Sequence, residues 1–137
     1  MFWLILLIVV AVLCALVLFL VAPAAGRKEL RTPFAGRNFA HRGYFGKDQR
    51  PPENSLPAFA AAVQNGYGIE MDVQFSSDRK LLVFHDDTLT RMTGTKGWVR
   101  DYPYDQICQM PLKGSAEHAP LFSEFLQTVD GKTPLII

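Results

Sequence analysis

Two of the three histidines in this 137-residue chain, His41 and His85, close short apolar runs. An imidazole titrates near neutral pH and can take up or release a proton there. His41 leads into Arg42, a planar cationic fork that suits a phosphate, and then Gly43, which lets the backbone approach closely. His85 leads into Asp86 and Asp87, either of which can orient its ring. Between the histidines, Glu70 and Asp72 lie two residues apart in Ile69-Glu70-Met71-Asp72-Val73-Gln74-Phe75, whose strict alternation reads as one strand. Alternate strand residues share a face, so the two carboxylates project together, about 6.6–6.8 Å apart at the backbone. From there they can converge on a hard divalent cation, Mg²⁺ or Ca²⁺. Pro52-Glu53-Asn54-Ser55 stands where a loop enters a helix. Each piece alone has a plainer reading: a solvated strand face, a surface His-Arg pair, an N-cap with acidic help. Jointly they make the inventory for metal-assisted phosphoryl chemistry, in which a cation and Arg42 neutralise a phosphodiester while two histidines act as acid and base.

The surrounding pattern supplies elements to carry these groups. Asn38–His41 reads as a short strand. Asn54 or Ser55 caps a helix with Pro57 in its first turn and Gly66 past its end. Leu56, Phe59, Ala60 and Val63 form its buried stripe. Ser76–Lys80 is a turn, and Leu81–Phe84 is a continuously apolar strand ending at His85. Thr88–Ser115 reads as irregular. Phe122, Phe125, Leu126 and Val129 make a second helical stripe, with Ser123 as a possible cap, and Thr133–Ile137 opens a third buried strand. Strands alternating with helices predict an α/β protein with a parallel sheet. His118 has no partner by spacing and reads as structural, and Trp98, Tyr102 and Tyr104 read as packing.

Composition removes several function classes. Lys and Arg number 14 against 13 Asp and Glu, a net charge of +1, which argues against a nucleic-acid binder. Two cysteines, Cys14 and Cys108, make neither a disulfide framework nor a zinc knuckle. Nothing pairs a Ser or Cys nucleophile with its own base, and no Gly-rich nucleotide loop occurs.

Residues 1–26 hold no charge, and Phe2–Ala22 is unbroken by Ser, Thr, Asn or Gln. As a helix this run spans roughly 32 Å, enough to cross a bilayer core. A secretory signal peptide is the competing reading, supported by the small residues Ala22-Pro23-Ala24-Ala25-Gly26. The missing N-terminal cation and the length of the run favour an anchor. Arg27, Lys28, Arg31 and Arg37 follow it, which places residues 27–137 on the cytoplasmic side of a single-pass membrane protein. The expected organisation is therefore a transmembrane anchor at 1–22, a linker at 23–37 and a domain at 38–137.

The ordered series His41-Arg42-Gly43, Pro52-Glu53-Asn54-Ser55, Glu70-Met71-Asp72-Val73 and His85-Asp86-Asp87-Thr88-Leu89-Thr90-Arg91 resembles the glycerophosphodiester phosphodiesterase family, with Ala119–Leu126 resembling that family's later helix entry. The resemblance implies a TIM-type (β/α)8 barrel of the phospholipase-C-like phosphodiesterase kind. It also implies divalent-metal dependence and hydrolysis of glycerophosphodiesters to glycerol phosphate and an alcohol, in lipid metabolism. It implies that His41 and His85 are the acid–base pair, that Arg42 binds phosphate, and that Glu70 and Asp72 hold the metal. Glu53 matches the family's other motif Glu, in or next to the metal and phosphate site. The family carries a further metal-binding Glu, with a Lys two residues on, at the end of the strand that Pro134–Ile137 begins. The expectation is thus that 38–137 is the N-terminal portion of the barrel. The alternatives are an inactive anchored half-domain, or a related barrel phospholipase or lyase that forms a cyclic phosphate.

Overall fold

A computed structural model describes residues 1–22 and 28–137. Residues 23–27, the first part of the expected linker, lie outside the described residues. The chain divides into two units, Met1–Ala35 and Gly36–Ile137.

In the first unit, α1 (Phe2–Val21) is a 20-residue helix with a mean hydropathy of 3.6 and no buried residue. With no polar face, it has no side to turn toward water. By length and composition it can cross a membrane, and a signal sequence near an N-terminus passes the same test. A short helix, α2 (Lys28–Arg31), lies within the stretch expected as a linker.

The second unit is built on a parallel sheet of β1 (Phe39–His41), β2 (Gly68–Glu70) and β5 (Leu135–Ile136), with β2 in the middle. Helix α3 (Leu56–Gln64) connects β1 to β2, and α6 (Phe122–Val129) precedes β5. Ser55 caps α3: its hydroxyl accepts from the Ala58 N–H at 3.4 Å and donates to the Pro52 carbonyl at 2.6 Å. The buried face of α3 is Ala58, Phe59 and Ala62, rotated from the expected stripe, and the helix packs against α6 and β2. Helix α6 has no cap at Ser123. Its entry is held by the Glu124 carboxylate, which accepts from the Leu121 N–H at 2.7 Å. Phe59 meets Phe125 edge-on at 4.6 Å, and Ala40, Ile69, Met71, Val83 and Val129 complete this core. Leu126, expected in the stripe, is 44% exposed.

The strand expected over 69–75 is broken. Met71 still donates its N–H to Ile136, but the Asp72 carbonyl already accepts from Phe84. The chain leaves the parallel sheet there and continues as β3 (Val73–Phe75), antiparallel to β4 (Leu81–Val83). The alternation therefore holds for buried Ile69 and Met71 but fails at Phe75, 61% exposed. β4 is apolar throughout because it separates two cores. Val83 faces the sheet core, while Leu82 and nearby Phe84 enter a second core with Leu89, Met92, Val99, Ile107 and Leu112. That second core also corrects the reading of 88–115 as irregular. It contains α4 (Thr90–Thr93), α5 (Tyr104–Ile107) and two single 3₁₀ turns, short pieces that wrap around apolar anchors.

Candidate active site

The register of β1 and β2 sets His41 opposite Glu70, with Ile136 on the far side of Glu70, all at the C-terminal ends of parallel strands. Ligand sites of α/β sheets form at that end. The Nε2 of His41 stands 3.6 Å from Glu70 Oε2, and its ring is 67% exposed. Arg42 then turns the chain out of the sheet. Its N–H donates to the Glu70 carbonyl at 2.8 Å, its own carbonyl accepts from Asn54 at 2.9 Å, and its φ is +62°. A left-handed conformation in a long, non-glycine residue is strained and tends to occur where function holds it. Gly43 has φ +89°, and a Cβ there would lie 2.8 Å from the Ala58 Cβ on α3. Only glycine lets the Arg42 turn sit this close to the helix.

The Arg42 side chain lies at the edge of a chain of charges. Its Nη1 donates to Glu53 Oε1 at 2.9 Å, and its Nε is 3.8 Å from Asp72 Oδ2. Glu53, 5% exposed, also accepts from Arg91: Nη2 to Oε1 at 2.7 Å and Nη1 to Oε2 at 3.1 Å. The other edge of the Arg91 guanidinium holds Asp86, Nε to Oδ2 at 2.6 Å and Nη2 to Oδ1 at 2.8 Å. Asp86 Oδ1 in turn lies 2.6 Å from His85 Nδ1. The backbone beneath His85 is held by Gln74, whose amide nitrogen reaches the carbonyls of His85 at 3.0 Å and Asp86 at 2.7 Å.

These contacts set protonation states. The bonds from Arg91 lead in lowering the Asp86 carboxyl to about 2, against the opposing effect of burial, with His85 adding to the lowering. An ionised carboxylate only accepts, so the His85 Nδ1 is the donor and Nε2 is the nitrogen left free for proton transfer. Burial pushes Glu53 up, but the hydrogen bonds of Arg91 and Arg42 outweigh it and hold the carboxyl below its ordinary value. Arg91, clasped by Asp86 and then Glu53, is held protonated more firmly than a free arginine.

Four shielded side-chain atoms have no hydrogen-bond partner among the described residues, Asn54 Oδ1 and three on the charged side chains of this cluster: Arg42 Nε, Glu70 Oε2 and Asp72 Oδ2. Buried polar atoms are nearly always paired, and an orphan calls for a missing partner. Glu70 Oε2 faces His41 Nε2 at 3.6 Å and Asp72 Oδ2 faces Arg42 Nε at 3.8 Å, ion-pair distances too long for hydrogen bonds. Such carboxylate oxygens suit a hard divalent cation, and such a guanidinium N–H suits an anionic oxygen. The two carboxylates fall short of a full shell. No cluster of three or more His, Cys, Asp or Glu side chains placed to hold a metal occurs among the described residues.

His41, Arg42, Glu53, Glu70 and Asp72 are thus linked neighbours, and His85 joins them through Asp86 and Arg91. Glu53 differs from the other two carboxylates, because both of its oxygens accept from guanidinium groups. Residue type and spacing assign no role to Arg91 or Gln74. Arg91 does stand inside the motif that begins at His85, a cation five residues past an acid, and that spacing is the signal for it. Gln74 looks like any outward residue of a half-buried strand.

The model of the glycerophosphoryl diester phosphodiesterase family matches residues 41–136. The chain belongs to this family. Members are named as enzymes: the glycerophosphodiester phosphodiesterase of Bacillus altitudinis is 38% identical over 110 residues, covering 72% of this chain and 42% of that protein. The crystal structure of an Agrobacterium tumefaciens glycerophosphodiester phosphodiesterase is similar with a TM-score of 0.63 at 29% identity, covering 72% of this chain and 45% of the other. An Oleispira antarctica phosphodiesterase, solved in complex with the product sn-glycerol-3-phosphate, gives a TM-score of 0.64 at 28% identity, covering 74% and 43%. The chain therefore spans less than half the length of these family members.

Proposed function

We propose that residues 38–137 carry the first part of a (β/α)8-barrel glycerophosphodiester phosphodiesterase, hydrolysing glycerophosphodiesters to glycerol phosphate and an alcohol in lipid metabolism. The observation that carries this reading is the set of bare atoms, Glu70 Oε2, Asp72 Oδ2 and Arg42 Nε, beside a histidine at a strand end. Glu70 and Asp72 would hold a divalent cation, Mg²⁺ or Ca²⁺, with Glu53 adjacent through Arg42. When bound, the cation supplies Lewis-acid polarisation of a phosphoryl oxygen.

The chain's own groups account for the rest. Arg42 would give its Nε–H, which faces Asp72 Oδ2 at 3.8 Å without a hydrogen bond, to a phosphate oxygen while Glu53 holds Nη1, so the guanidinium is aimed before substrate arrives. His85 has its Nδ1 proton committed to Asp86, which leaves Nε2 to take or give a proton. His41, at the end of β1, is the second proton carrier. One neutral imidazole takes a proton from water as the water oxygen bonds to phosphorus, the bond from phosphorus to the alcohol oxygen breaks, and the other, as imidazolium, protonates that oxygen.

Domain 1–22 would anchor the protein in the membrane, 23–37 would link, and the basic residues after the helix favour a cytoplasmic site. Protease protection in sealed vesicles reads this orientation.

The test is release of sn-glycerol-3-phosphate from glycerophosphocholine. Turnover should stop with a chelator and return with Mg²⁺ or Ca²⁺, and His41→Gln or His85→Gln should lower it about 10²–10⁴-fold. Turnover unaffected by both His41→Gln and Glu70→Gln rejects the site. A cyclic phosphate as lasting product makes the protein a lyase instead.

A further inference from the structure

We infer that Arg91 is the positioning residue of this site, tying the His85 ring to the Arg42 guanidinium through Asp86 and Glu53. The inference rests on the phosphodiesterase reading for the roles of His85 and Arg42, and on geometry alone for the tie itself.

The guanidinium uses both of its two-nitrogen edges. Nε and Nη2 grip the two oxygens of Asp86, and Nη1 and Nη2 grip the two oxygens of Glu53, at 2.6 to 3.1 Å. Only a planar fork can hold two carboxylates this way, and a lysine is a point charge with no such edges. The tie also crosses the fold. Arg91 lies on α4, whose Met92 is buried in the second core, whereas Glu53 lies 38 residues earlier, at the entry to α3 on the sheet core. Asp86 and Glu53 then each pass the restraint onward, Asp86 to His85 Nδ1 and Glu53 to Arg42 Nη1. A residue serving only to neutralise buried Glu53 would have no reason to clasp Asp86 as well. With Arg91 gone, Asp86 keeps His85 as its one remaining side-chain partner among the described residues, and among them Arg42 alone is left to hold the Glu53 carboxylate.

The experiment uses the full 137-residue chain in detergent micelles and compares it with Arg91→Lys and Arg91→Ala. Long-range ¹H–¹⁵N spectra report which imidazole nitrogen carries the proton, with the His85 signal assigned by its loss in His85→Gln. The parent should show His85 protonated at Nδ1, and Arg91→Lys, which keeps the charge, should shift population toward the Nε2-protonated form. On glycerophosphocholine, kcat should fall about 100-fold in Arg91→Lys, as a small misplacement of reacting groups does. Methylguanidinium, but not methylammonium, should restore turnover to Arg91→Ala. The inference is overturned by a parent His85 protonated at Nε2, or by an Arg91→Lys spectrum identical to the parent's. Rescue of Arg91→Ala by methylammonium would overturn it too. Should the parent itself show no turnover, what fails is turnover by residues 38–137 without the rest of the barrel, and the imidazole spectra still decide the tie.

Discussion

The end of the parallel sheet and the end of the β3–β4 hairpin each present a histidine, and they hold it by different means. His41 is the last residue of β1, its backbone locked in register with Glu70 by the ladder, while its ring stays largely exposed. His85 lies two residues past β4, where no ladder continues. Its backbone is held by the Gln74 amide and its ring by the Asp86–Arg91 pair. A ladder of backbone hydrogen bonds is indifferent to side-chain identity and to pH. A network of side-chain charges depends on both. The hairpin side of the site should therefore be the one that single substitutions and acid loosen, provided the packing beneath both sides is intact.

Breaking that shared packing should have the largest effect. Phe59→Ala removes the ring that meets Phe125 between α3 and α6, and should destabilise residues 36–137 by about 3–5 kcal/mol, measured by urea melts. It should loosen both histidines at once.

Gln74→Leu separates the two sides. It strips the His85 and Asp86 carbonyls of their side-chain donor, a loss of about 1–2 kcal/mol. Amide exchange should quicken around 84–86 and stay unchanged at 39–41; equal quickening in both would remove the distinction drawn here.

Acid should produce the smallest change. Asp86 titrates near 2 in the fold against an ordinary 3.8. A lowered carboxylate pKa contributes stability that is present above the ordinary value and lost as pH falls through the folded one. Allowing for solvent screening, about 1 kcal/mol should disappear between roughly pH 4 and pH 2. Arg91→Lys should shrink that loss, because the strongest contribution to the shift comes from the Arg91 bonds.

Much of the sheet side is legible in the order of residues alone. Alternation at Ile69 and Met71, a Ser55 cap, and Gly66 past the helix end are local signals, and they locate α3 and the start of β2, although the strand expected over 69–75 breaks after Met71. The hairpin side is less legible for a physical reason. Leu81–Phe84 is continuously apolar because it serves two cores, and a run of that kind looks the same in a parallel strand and in an antiparallel one. The break after Met71 is equally hidden, since Glu70-Met71-Asp72-Val73 alternates whether or not the chain changes partners there.

The site divides along the same line. Residue types and their order along the chain are enough to single out His41, His85, Arg42 and the acidic pair Glu70 and Asp72 as candidates. Side-chain chemistry and short spacings make a proton-transfer, phosphate or cation role possible for each, and the family resemblance proposes which. Which carboxylate pairs with which cation does not follow, because it depends on distances through space between segments 38 residues apart. Folding places Glu53 and Asp86 on the two edges of Arg91 and leaves one oxygen each of Glu70 and Asp72 without a hydrogen bond among the described residues. Four acids that look alike in a one-dimensional string become two that fix arginines and two that each keep one oxygen without a hydrogen bond, since a carboxylate's surroundings are set by its neighbours in the folded chain.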